Sequence, residues 1–224
     1  MQTINLSEFM RYLAAHPQSD ENLPPLTVLS AELGVSVASL REQLEVARAL
    51  GLVEVRPRTG MRRLPFKFLP AVRQSLGYAM ALDKTNFEMF ADLRQNIESS
   101  YWYEAVELLT TEDHIRLQEL VTNAWNKLNG RPIQIPHNEH KQLHLAIFSR
   151  LNNPFVIGIL EAYWEAYEAI GLNVFTEYNY LRSVWQYHET MVNAIISRDF
   201  EGGYHALVEH TELLADLLDH RTAN

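Results

Sequence analysis

The first 65 residues carry short apolar patterns with helical spacing. Apolar side chains three and four residues apart predict a helix around Phe9 and Leu13. A polar stretch with prolines at 17–25 ends this pattern. A second short helix is predicted at 27–33, and Gly34 is a suitable residue to end it. The chain therefore begins with two short helices joined by an irregular segment.

The same region continues with a third helix and a hairpin. Ser36 is a suitable N-cap for a helix that Gly51 ends. Residues 52–56 alternate between apolar and polar, 58–60 predict a turn, and 61–64 can return as a second strand. A helix, a helix-turn-helix and a β-hairpin in this order are typical of a winged helix-turn-helix domain, whose third helix enters the major groove of DNA.

The remainder of the chain has the periodicity of helices. Two prolines in 64–70 disfavour a helix there and mark a boundary. No strand pattern follows, so the predicted fold class is mainly α, with a C-terminal all-α bundle of six or seven helices. The expected domains are a winged helix-turn-helix domain at 1–65, a linker and connecting helix at 66–82, and the bundle at 83–224. The expected helices are 70–82, 84–109, 112–129, 138–151, 154–171, 178–198 and 200–220, with caps at Asp83, Thr111 and Asn153.

Composition excludes some classes of protein. The chain has no cysteine, so it has neither disulfides nor thiolate metal sites. No window holds about 18 uninterrupted apolar residues, so no membrane-spanning helix is predicted. The N-terminus lacks the basic and apolar regions of a signal peptide. We therefore expect a cytoplasmic protein that does not enter the membrane.

Charge is divided unevenly between the two parts of the chain. Residues 1–65 carry seven basic and seven acidic residues, whereas the remainder carries the whole net charge of −9. No acidic residue lies between Val55 and Leu82. The bases in that stretch are Arg56, Arg58, Arg62, Arg63, Lys67 and Arg73. A basic stripe on an acidic protein is typical of a phosphate-binding surface, although a solvated turn has the same composition.

Four histidines in the second part have spacings that could bring them together. His140 and His144 are four residues apart and share one face of a predicted helix. His188 and His210 lie in two later amphipathic segments, at a separation that suits facing positions on adjacent helices. Imidazole is a common ligand of Zn, Ni, Cu and Fe, so the set predicts a metal site for either chemistry or sensing. The alternative is a structural role without metal.

The motifs LSAELGVS at 29–36 and LGLVEVRP at 50–57 resemble the DNA-binding domain of the GntR family of bacterial transcription regulators. The resemblance covers residues 5–65. In that family, arginines around the recognition helix contact guanine or phosphate, and a wing tip that bears glycine contacts the minor groove or the backbone. The matching positions are Ser36, Ser39 and Arg41 on the recognition helix and Arg58, Thr59 and Gly60 at the wing tip.

Two residues depart from the pattern of that family. Arginine commonly follows the capping serine, whereas this chain has Val37. The next position usually holds a small hydroxyl residue, whereas this chain has Ala38. Loss of a contact here would alter the operator sequence and the affinity rather than DNA binding itself. Arg41 still offers a fork that suits guanine O6 and N7.

The helical part resembles the ligand-binding domain of the FadR subfamily of these regulators, the FCD type, over about residues 83–218. The matching motifs are Leu93-Arg94 with Glu98, Leu143-His144, Asn153-Pro154, Tyr187-His188-Glu189, Arg198-Asp199, and Ala206 with His210. In that family an aspartate and three histidines bind a divalent metal, often zinc or nickel. His144, His188 and His210 match the three histidines, and His140 stands where the family has aspartate.

His140 changes what such a site should bind. Four neutral imidazoles leave the charge of the metal uncompensated, which favours Zn²⁺ or Ni²⁺ over Mg²⁺ or Ca²⁺ and favours an anion at any open position. A small carboxylate metabolite fits this site, and Arg94, which matches an arginine of the family, is its expected contact. A salt bridge from Arg94 to Glu98, one turn away, is the alternative. His137 ranks lower as a ligand because it precedes the expected helix.

Together these features predict a homodimeric transcription regulator, not an enzyme, in which metal and effector modulate binding to double-stranded operator DNA. The alternative is a histidine-rich helical-bundle metalloenzyme, because imidazoles with an open position can activate water or dioxygen. No carboxylate beside the ligands stands out as a general base, and an enzyme would leave 1–65 without a role. Tyr101 and Trp102 either narrow the effector cavity or belong to the core.

Overall fold

The computed structural model describes residues 5–17, 22–171 and 177–222, with the backbone alone at 212 and 214–222. The chain forms two compact units, Met1–Ser75 and Leu76–Asn224. Each unit has its own hydrophobic core. Among the described residues, no helix is both long enough and apolar enough to cross a lipid bilayer.

The first unit is a three-helix arrangement with a small antiparallel sheet. Its elements are α1 Glu8–Ala15, β1 Asn22–Leu23, α2 Leu26–Leu33, α3 Val37–Ala49, β2 Val53–Arg56 and β3 Gly60–Arg63. The strand order is β1-β3-β2, with Val55 opposite Met61 in the hairpin. Strand β1 lies inside the stretch predicted as irregular, and two residues are too few to show an alternating pattern. The predicted winged helix-turn-helix fold is otherwise confirmed.

Helix α3 begins and packs as its sequence requires. The Ser36 side chain accepts a hydrogen bond from the Ser39 backbone N–H at 3.2 Å, which caps the helix. Leu40 and Leu44 lie on the buried face. Gly34, which ends α2, has a φ of +66°, a left-handed conformation that glycine adopts without steric cost. The tight turn between α2 and α3 follows from this glycine.

The described elements of the second unit are all helical, as predicted. Helix α4 spans Leu69–Leu82 and so begins in the first unit. The others are α5 Asn86–Glu107, α6 Thr111–Leu128, α7 His137–Ile147, α8 Pro154–Ala169, α9 Tyr178–Ser197 and α10 Phe200–Thr222. Pro70 occupies the first turn of α4, where its missing N–H costs no hydrogen bond. The hydrophobic core of this bundle includes residues from α5 to α10.

The N-termini of α8 and α6 can be compared with the predicted caps. Asn153 caps α8, as predicted, and accepts hydrogen bonds from two backbone N–H groups. The prediction of Thr111 as the cap of α6 is wrong by one residue. Thr110 is the cap, because it and Asp113 bond reciprocally to each other's backbone N–H in a capping box. Arg150 reaches the same Asp113 carboxylate at 2.8 Å.

Helix α5 begins at a different cap from the predicted one, and two of its aromatic residues pack in the core. Its N-cap is Thr85, not Asp83 as predicted. The Asp83 carboxylate instead accepts the Thr85 backbone N–H at 2.9 Å. Trp102 is fully buried and donates its indole N–H to the Phe200 carbonyl at 2.8 Å. Tyr101 packs against the same core, so both aromatic residues belong to the packing of the bundle.

Candidate metal centre and nucleic-acid-binding surface

The structure brings together the four histidines that the sequence singled out. One ring nitrogen from each of His140, His144, His188 and His210 lies within 4.8 Å of one from each of the others. His144 and His188 are fully buried and His210 is 5% exposed. His140 is half-buried, with its Nε2 atom buried. These four residues form the histidine cluster.

Helix geometry explains this convergence. His140 and His144 are one turn apart on α7, with ring centroids 5.2 Å apart. Helices α9 and α10 pack against each other after a turn at Arg198, which has a φ of +61°. His188 and His210 lie at similar distances from that turn, so their rings meet at 4.5 Å. Three helices thus contribute to one point in the bundle.

The nitrogen positions are compatible with one shared metal ion. The Nε2 atoms of His144 and His188 are 3.1 Å apart. Two nitrogens bound to one zinc at about 2.0–2.1 Å and a tetrahedral angle lie roughly 3.4 Å apart. Among the side chains that the structure describes, His140 Nε2 and His210 Nδ1 are buried without a hydrogen-bond partner. Buried polar atoms without partners are costly, so the donor set fits a metal.

Burial also sets the protonation of the cluster. It lowers the pKa of His140, His188 and His210 well below the usual range of histidine. Burial also lowers the pKa of His144, although the Glu98 carboxylate opposes this effect. The rings are therefore neutral near pH 7, which is the protonation state that binds a metal.

A buried ion pair lies against the cluster. Arg94 Nη2 is 2.8 Å from Glu98 Oε2, and the other carboxylate oxygen of Glu98 is 3.2 Å from His144 Nδ1. Both α5 side chains are buried. Burial raises the pKa of Glu98, but the positive charge of Arg94, together with the His144 ring beside it, outweighs this effect and holds the pKa below its usual value. The alternative reading of Arg94, a salt bridge to Glu98, is what the structure shows, and sequence reasoning did not place Glu98 beside a histidine.

Aromatic side chains surround this group. Trp164 packs against His140 with ring centroids 4.6 Å apart, and Trp185 packs against His188 at 4.7 Å. Arg94 lies over the Tyr163 ring, 4.7 Å from its centroid, in a cation–π contact. Within the described part of the chain, the Trp164 indole nitrogen and Arg94 Nε are buried without a hydrogen-bond partner.

The remaining histidines of the bundle lie elsewhere. His137 is the first residue of α7, so the expectation that it precedes the helix is wrong. Its Nε2 lies 3.1 Å from the Glu168 carboxylate, outside the cluster. His205 is exposed on α10 and lies 3.3 Å from Glu201. His205 therefore offers a matched comparison for the clustered His210 on the same helix.

The predicted contacts on the recognition helix lie at the start of α3. Arg41 is exposed on the first half of this helix. Ser36 is exposed, but its hydroxyl is engaged as the helix cap. Ser39 is half-buried, and its hydroxyl accepts a hydrogen bond from Gln43 at 3.2 Å. Of these three residues, Arg41 is the exposed one with a charged side chain.

The predicted wing residues lie at the tip of the β2–β3 hairpin. Arg58, Thr59 and Gly60 are all exposed. Arg58 has a φ of +69°, which is uncommon for a residue with a side chain and disfavours it there. Gly60 has a φ of +85° and open space around it. The tip therefore presents an arginine in a backbone conformation that glycine or asparagine would adopt more easily.

The rest of the basic stripe is partly neutralised. Arg56 and Arg62 both pair with the Glu54 carboxylate, at 2.9 Å and 3.2 Å. Arg63 donates to the backbone carbonyls of Leu13 and His16 and so ties the hairpin to α1. The basic stripe therefore divides into two groups. Arg56, Arg62 and Arg63 make contacts within the first unit, whereas Arg58, Lys67 and Arg73 are exposed.

The architecture defines a class of protein in which a winged-helix unit is followed by a helical bundle. The FCD domain family matches residues 89–213, more than half of the chain, so the chain belongs to this family. It is similar in structure to Streptococcus agalactiae GntR, with a TM-score of 0.68 and 16% identity over 92% of this chain and 94% of that one. It is also similar to E. coli McbR/YncC, with a TM-score of 0.54 and 21% identity over 98% and 100%. No curated protein matches the chain.

Proposed function

We propose that this protein is a GntR-type transcription regulator of the FadR subfamily, in which a metal bound by the histidine cluster modulates the affinity for operator DNA. The observation that carries the proposal is the buried convergence of four neutral imidazoles in a bundle of the FCD family. A winged-helix unit in the same chain supplies the means to bind DNA. A regulator of this kind works in the cytoplasm, where bacterial DNA is.

The DNA-binding part of the proposal rests on α3 and the hairpin tip. Arg41 is exposed on the helix that enters the major groove in winged-helix proteins, and its guanidinium can bind guanine O6 and N7 in pairs. Arg58, Thr59 and Gly60 at the tip are positioned for the backbone or minor groove. A homodimer would place two such units on a two-fold symmetric operator.

The metal part of the proposal rests on the donor set of the cluster. Four imidazole nitrogens favour a borderline ion, zinc or nickel, over magnesium or calcium, which prefer oxygen. The charges of Arg94 and Glu98 cancel each other, so the protein leaves the charge of a divalent ion uncompensated. Bound there, a divalent ion would act as a Lewis acid and attract an anion.

This excess of positive charge supports a small carboxylate effector. Arg94 Nε and the Trp164 indole N–H are buried donors without a partner among the described residues, and both lie beside the cluster. A carboxylate can accept from such donors, whereas an uncharged apolar ligand would leave them unsatisfied. Arg94 Nη2 pairs with Glu98, so the contact of Arg94 with an effector would be made by Nε.

The metalloenzyme alternative has less support. Glu98 is the carboxylate in contact with the cluster, and a general base would have to come from such a group. It is held by Arg94, which lowers its pKa rather than raising it toward neutrality. Glu98 is therefore a poor general base, and a regulatory role accounts for both units of the chain.

The experiment is a selection of genomic DNA fragments by the full-length protein purified without an affinity tag. Fragments bound in the presence of Zn²⁺ are then titrated in a gel-shift assay with Zn²⁺, with Ni²⁺, and with a chelator. We expect a specific duplex to be recovered and its affinity to change when metal is removed. Failure to recover any specific duplex under these conditions would contradict the DNA-binding part. A protein that neither contains nor binds metal would contradict the metal part and favour structural histidines.

A further inference from the structure

The solvent-facing side of α3 carries an acidic residue, Glu42, which is exposed. Leu40 and Leu44 are buried in the core of the first unit, and Glu42 lies two residues from each of them. Two residues correspond to roughly 200° around the axis of a helix, so Glu42 lies almost directly opposite the buried face. Arg41 lies nearer the side of the helix, because it is about 100° from Leu40 and about 60° from Leu44. Glu42 is therefore the more outward of these two charged residues.

The two acidic residues on this side of α3 differ in their partners. Arg48 Nη1 donates to both carboxylate oxygens of Glu45, at 2.7 Å and 3.0 Å. The neighbours of Glu42 one turn away along the helix are Ala38, Ser39, Glu45 and Val46. None of these neighbours is basic, and within the described part of the chain Glu42 makes no ion pair. The charge of Glu45 is thus compensated by Arg48, whereas that of Glu42 is not.

An uncompensated carboxylate is unfavourable on a helix that enters the major groove. Double-stranded DNA carries one negative charge per roughly 1.7 Å of its axis and repels a carboxylate held against it. A hydrogen bond from a base offsets this repulsion, and the donors in the major groove are the amino groups of cytosine and adenine. The N-terminal part of a recognition helix contacts the base edges, and Glu42 lies in the first half of α3. Glu42 is therefore in a position to accept from a base.

The pattern of acceptors in the groove favours cytosine over adenine. Adenine N6 lies between two acceptors, its own N7 and O4 of the paired thymine, whereas cytosine N4 has an acceptor, guanine O6, on one side only. A carboxylate has no donor, so the additional acceptor beside adenine N6 repels it. Ala38 is exposed one turn before Glu42, and its small side chain adds no polar group to this face. Glu42 thus supplies the hydrogen-bonding group at this point of α3.

We infer that Glu42 reads a cytosine of the operator by accepting a hydrogen bond from its N4 amino group in the major groove. The inference rests on the proposed DNA-binding function, and it adds a second base to the guanine expected for Arg41. Opposite any base edge without an amino group, the carboxylate of Glu42 is repelled. An unpaired charge of this kind raises discrimination between duplexes at the expense of non-specific affinity.

The test uses the full-length protein and a duplex selected from genomic DNA. Each base pair of this duplex is changed in turn, and the affinities of the wild type and of Glu42→Ala are measured by fluorescence anisotropy. Replacement of one C·G pair should weaken wild-type binding about 5- to 150-fold. Glu42→Ala should lose this discrimination at that pair and keep it at the others. Glu42→Gln should prefer adenine at the same pair, because glutamine bonds to both N6 and N7 of adenine.

Glu45→Gln is the matched control, because it removes the same charge from the same helix at a residue that already pairs with Arg48. It should leave the discrimination unchanged at every base pair. A Glu42→Ala variant with the wild-type discrimination at every pair, or a Glu45→Gln variant that loses the same discrimination, would overturn the inference alone. Failure to recover any specific duplex would overturn the proposed DNA-binding function together with it, so the two failures are distinguishable.

Discussion

The two units of this protein place their candidate functional side chains in opposite environments. Arg41 and Arg58 of the winged-helix unit are exposed, whereas the histidine cluster of the bundle is largely buried. Exposed side chains contribute little to the free energy of folding, so they can be changed without loss of the fold. Buried side chains that bind a ligand also pack the core. Substitutions of these side chains in the first unit should therefore change function without changing stability, whereas substitutions in the second unit should change both.

The largest expected effect is on the histidine cluster. His210→Gln should lower Zn²⁺ affinity by about 100-fold or more because it removes one of four donors. At a free zinc concentration 100 times the wild-type Kd, the variant should lose most of the roughly 2.7 kcal/mol that bound metal adds to the free energy of unfolding. Chelator competition and urea unfolding with and without zinc measure both quantities.

The matched control is His205→Gln, on the same helix and exposed. It should bind zinc as the wild type does. Equal loss of affinity in both variants would mean that the cluster is not the zinc site, and the contrast between buried and exposed positions would fail.

Packing within the bundle provides the second test. A Cβ at Gly203 would lie 2.6 Å from the buried Trp102 ring, so Gly203→Ala should destabilise the protein by about 1–3 kcal/mol. Gly77 is exposed on α4 and has open space around it, so Gly77→Ala should stabilise by up to about 1 kcal/mol. Thermal unfolding of both variants measures the difference. A neutral Gly203→Ala would show that α10 is loosely packed.

The third test concerns the exposed surface. Arg41→Ala should weaken binding to a selected duplex by about 1–3 kcal/mol, because it removes a contact to a base, and should leave the unfolding free energy nearly unchanged. Arg48→Ala is the control on the same helix, since Arg48 pairs with Glu45 near its end. Fluorescence anisotropy with a labelled duplex measures both. If Arg48→Ala weakened binding more than Arg41→Ala, the predicted recognition surface would be wrong.

The smallest expected effect is electrostatic and lies on the surface of the bundle. The hydrogen bond from Arg150, aided by Thr110, lowers the pKa of Asp113 from 3.8 to about 2. Because the folded-state pKa is lower, this carboxylate stabilises the protein above about pH 4, and the stabilisation is lost as the pH falls toward 2. Asp113→Asn should cost about 1 kcal/mol at pH 7, a modest value because Arg150 is half exposed.

Urea unfolding at pH 7 and at pH 3 measures this cost, which should shrink at the lower pH. Glu112→Gln, at the neighbouring position in the first turn of α6, should change stability less at both values. A cost for Asp113→Asn that is the same at both pH values would contradict the assignment of the effect to the carboxylate charge.

The difference between local and distant contacts explains which features could be predicted from the sequence. The helices and the hairpin follow from periodicity and turn residues within a few positions, and the fold class is confirmed. His140 and His144 share a face by helix geometry alone. The contact between Glu98 and His144 joins residues far apart in the chain and depends on how α5 packs against α7, which no local pattern encodes.

The errors have similar physical causes. Strand β1 is too short to alternate, so only its pairing with β3 reveals it. Thr110 and Thr111 are both chemically able to cap α6, and the position of Asp113 three residues after Thr110 decides between them. Charge alone predicts the basic stripe, whereas in the structure Glu54 pairs with two of its arginines within the hairpin. The roles of the cluster and of the DNA-binding residues stay predictions.

In the proposed function, a metal couples the buried histidine cluster to the exposed DNA-binding surface. The most direct measurement is the affinity for one selected duplex, with Zn²⁺ and with chelator, for the wild type and for His188→Gln. Coupling free energies of this kind are typically about 1–3 kcal/mol, so the wild-type affinity should change about 5- to 150-fold with zinc, while His188→Gln should show one affinity in both conditions. A wild-type affinity that zinc does not change, or a zinc effect that persists in His188→Gln, would contradict the account.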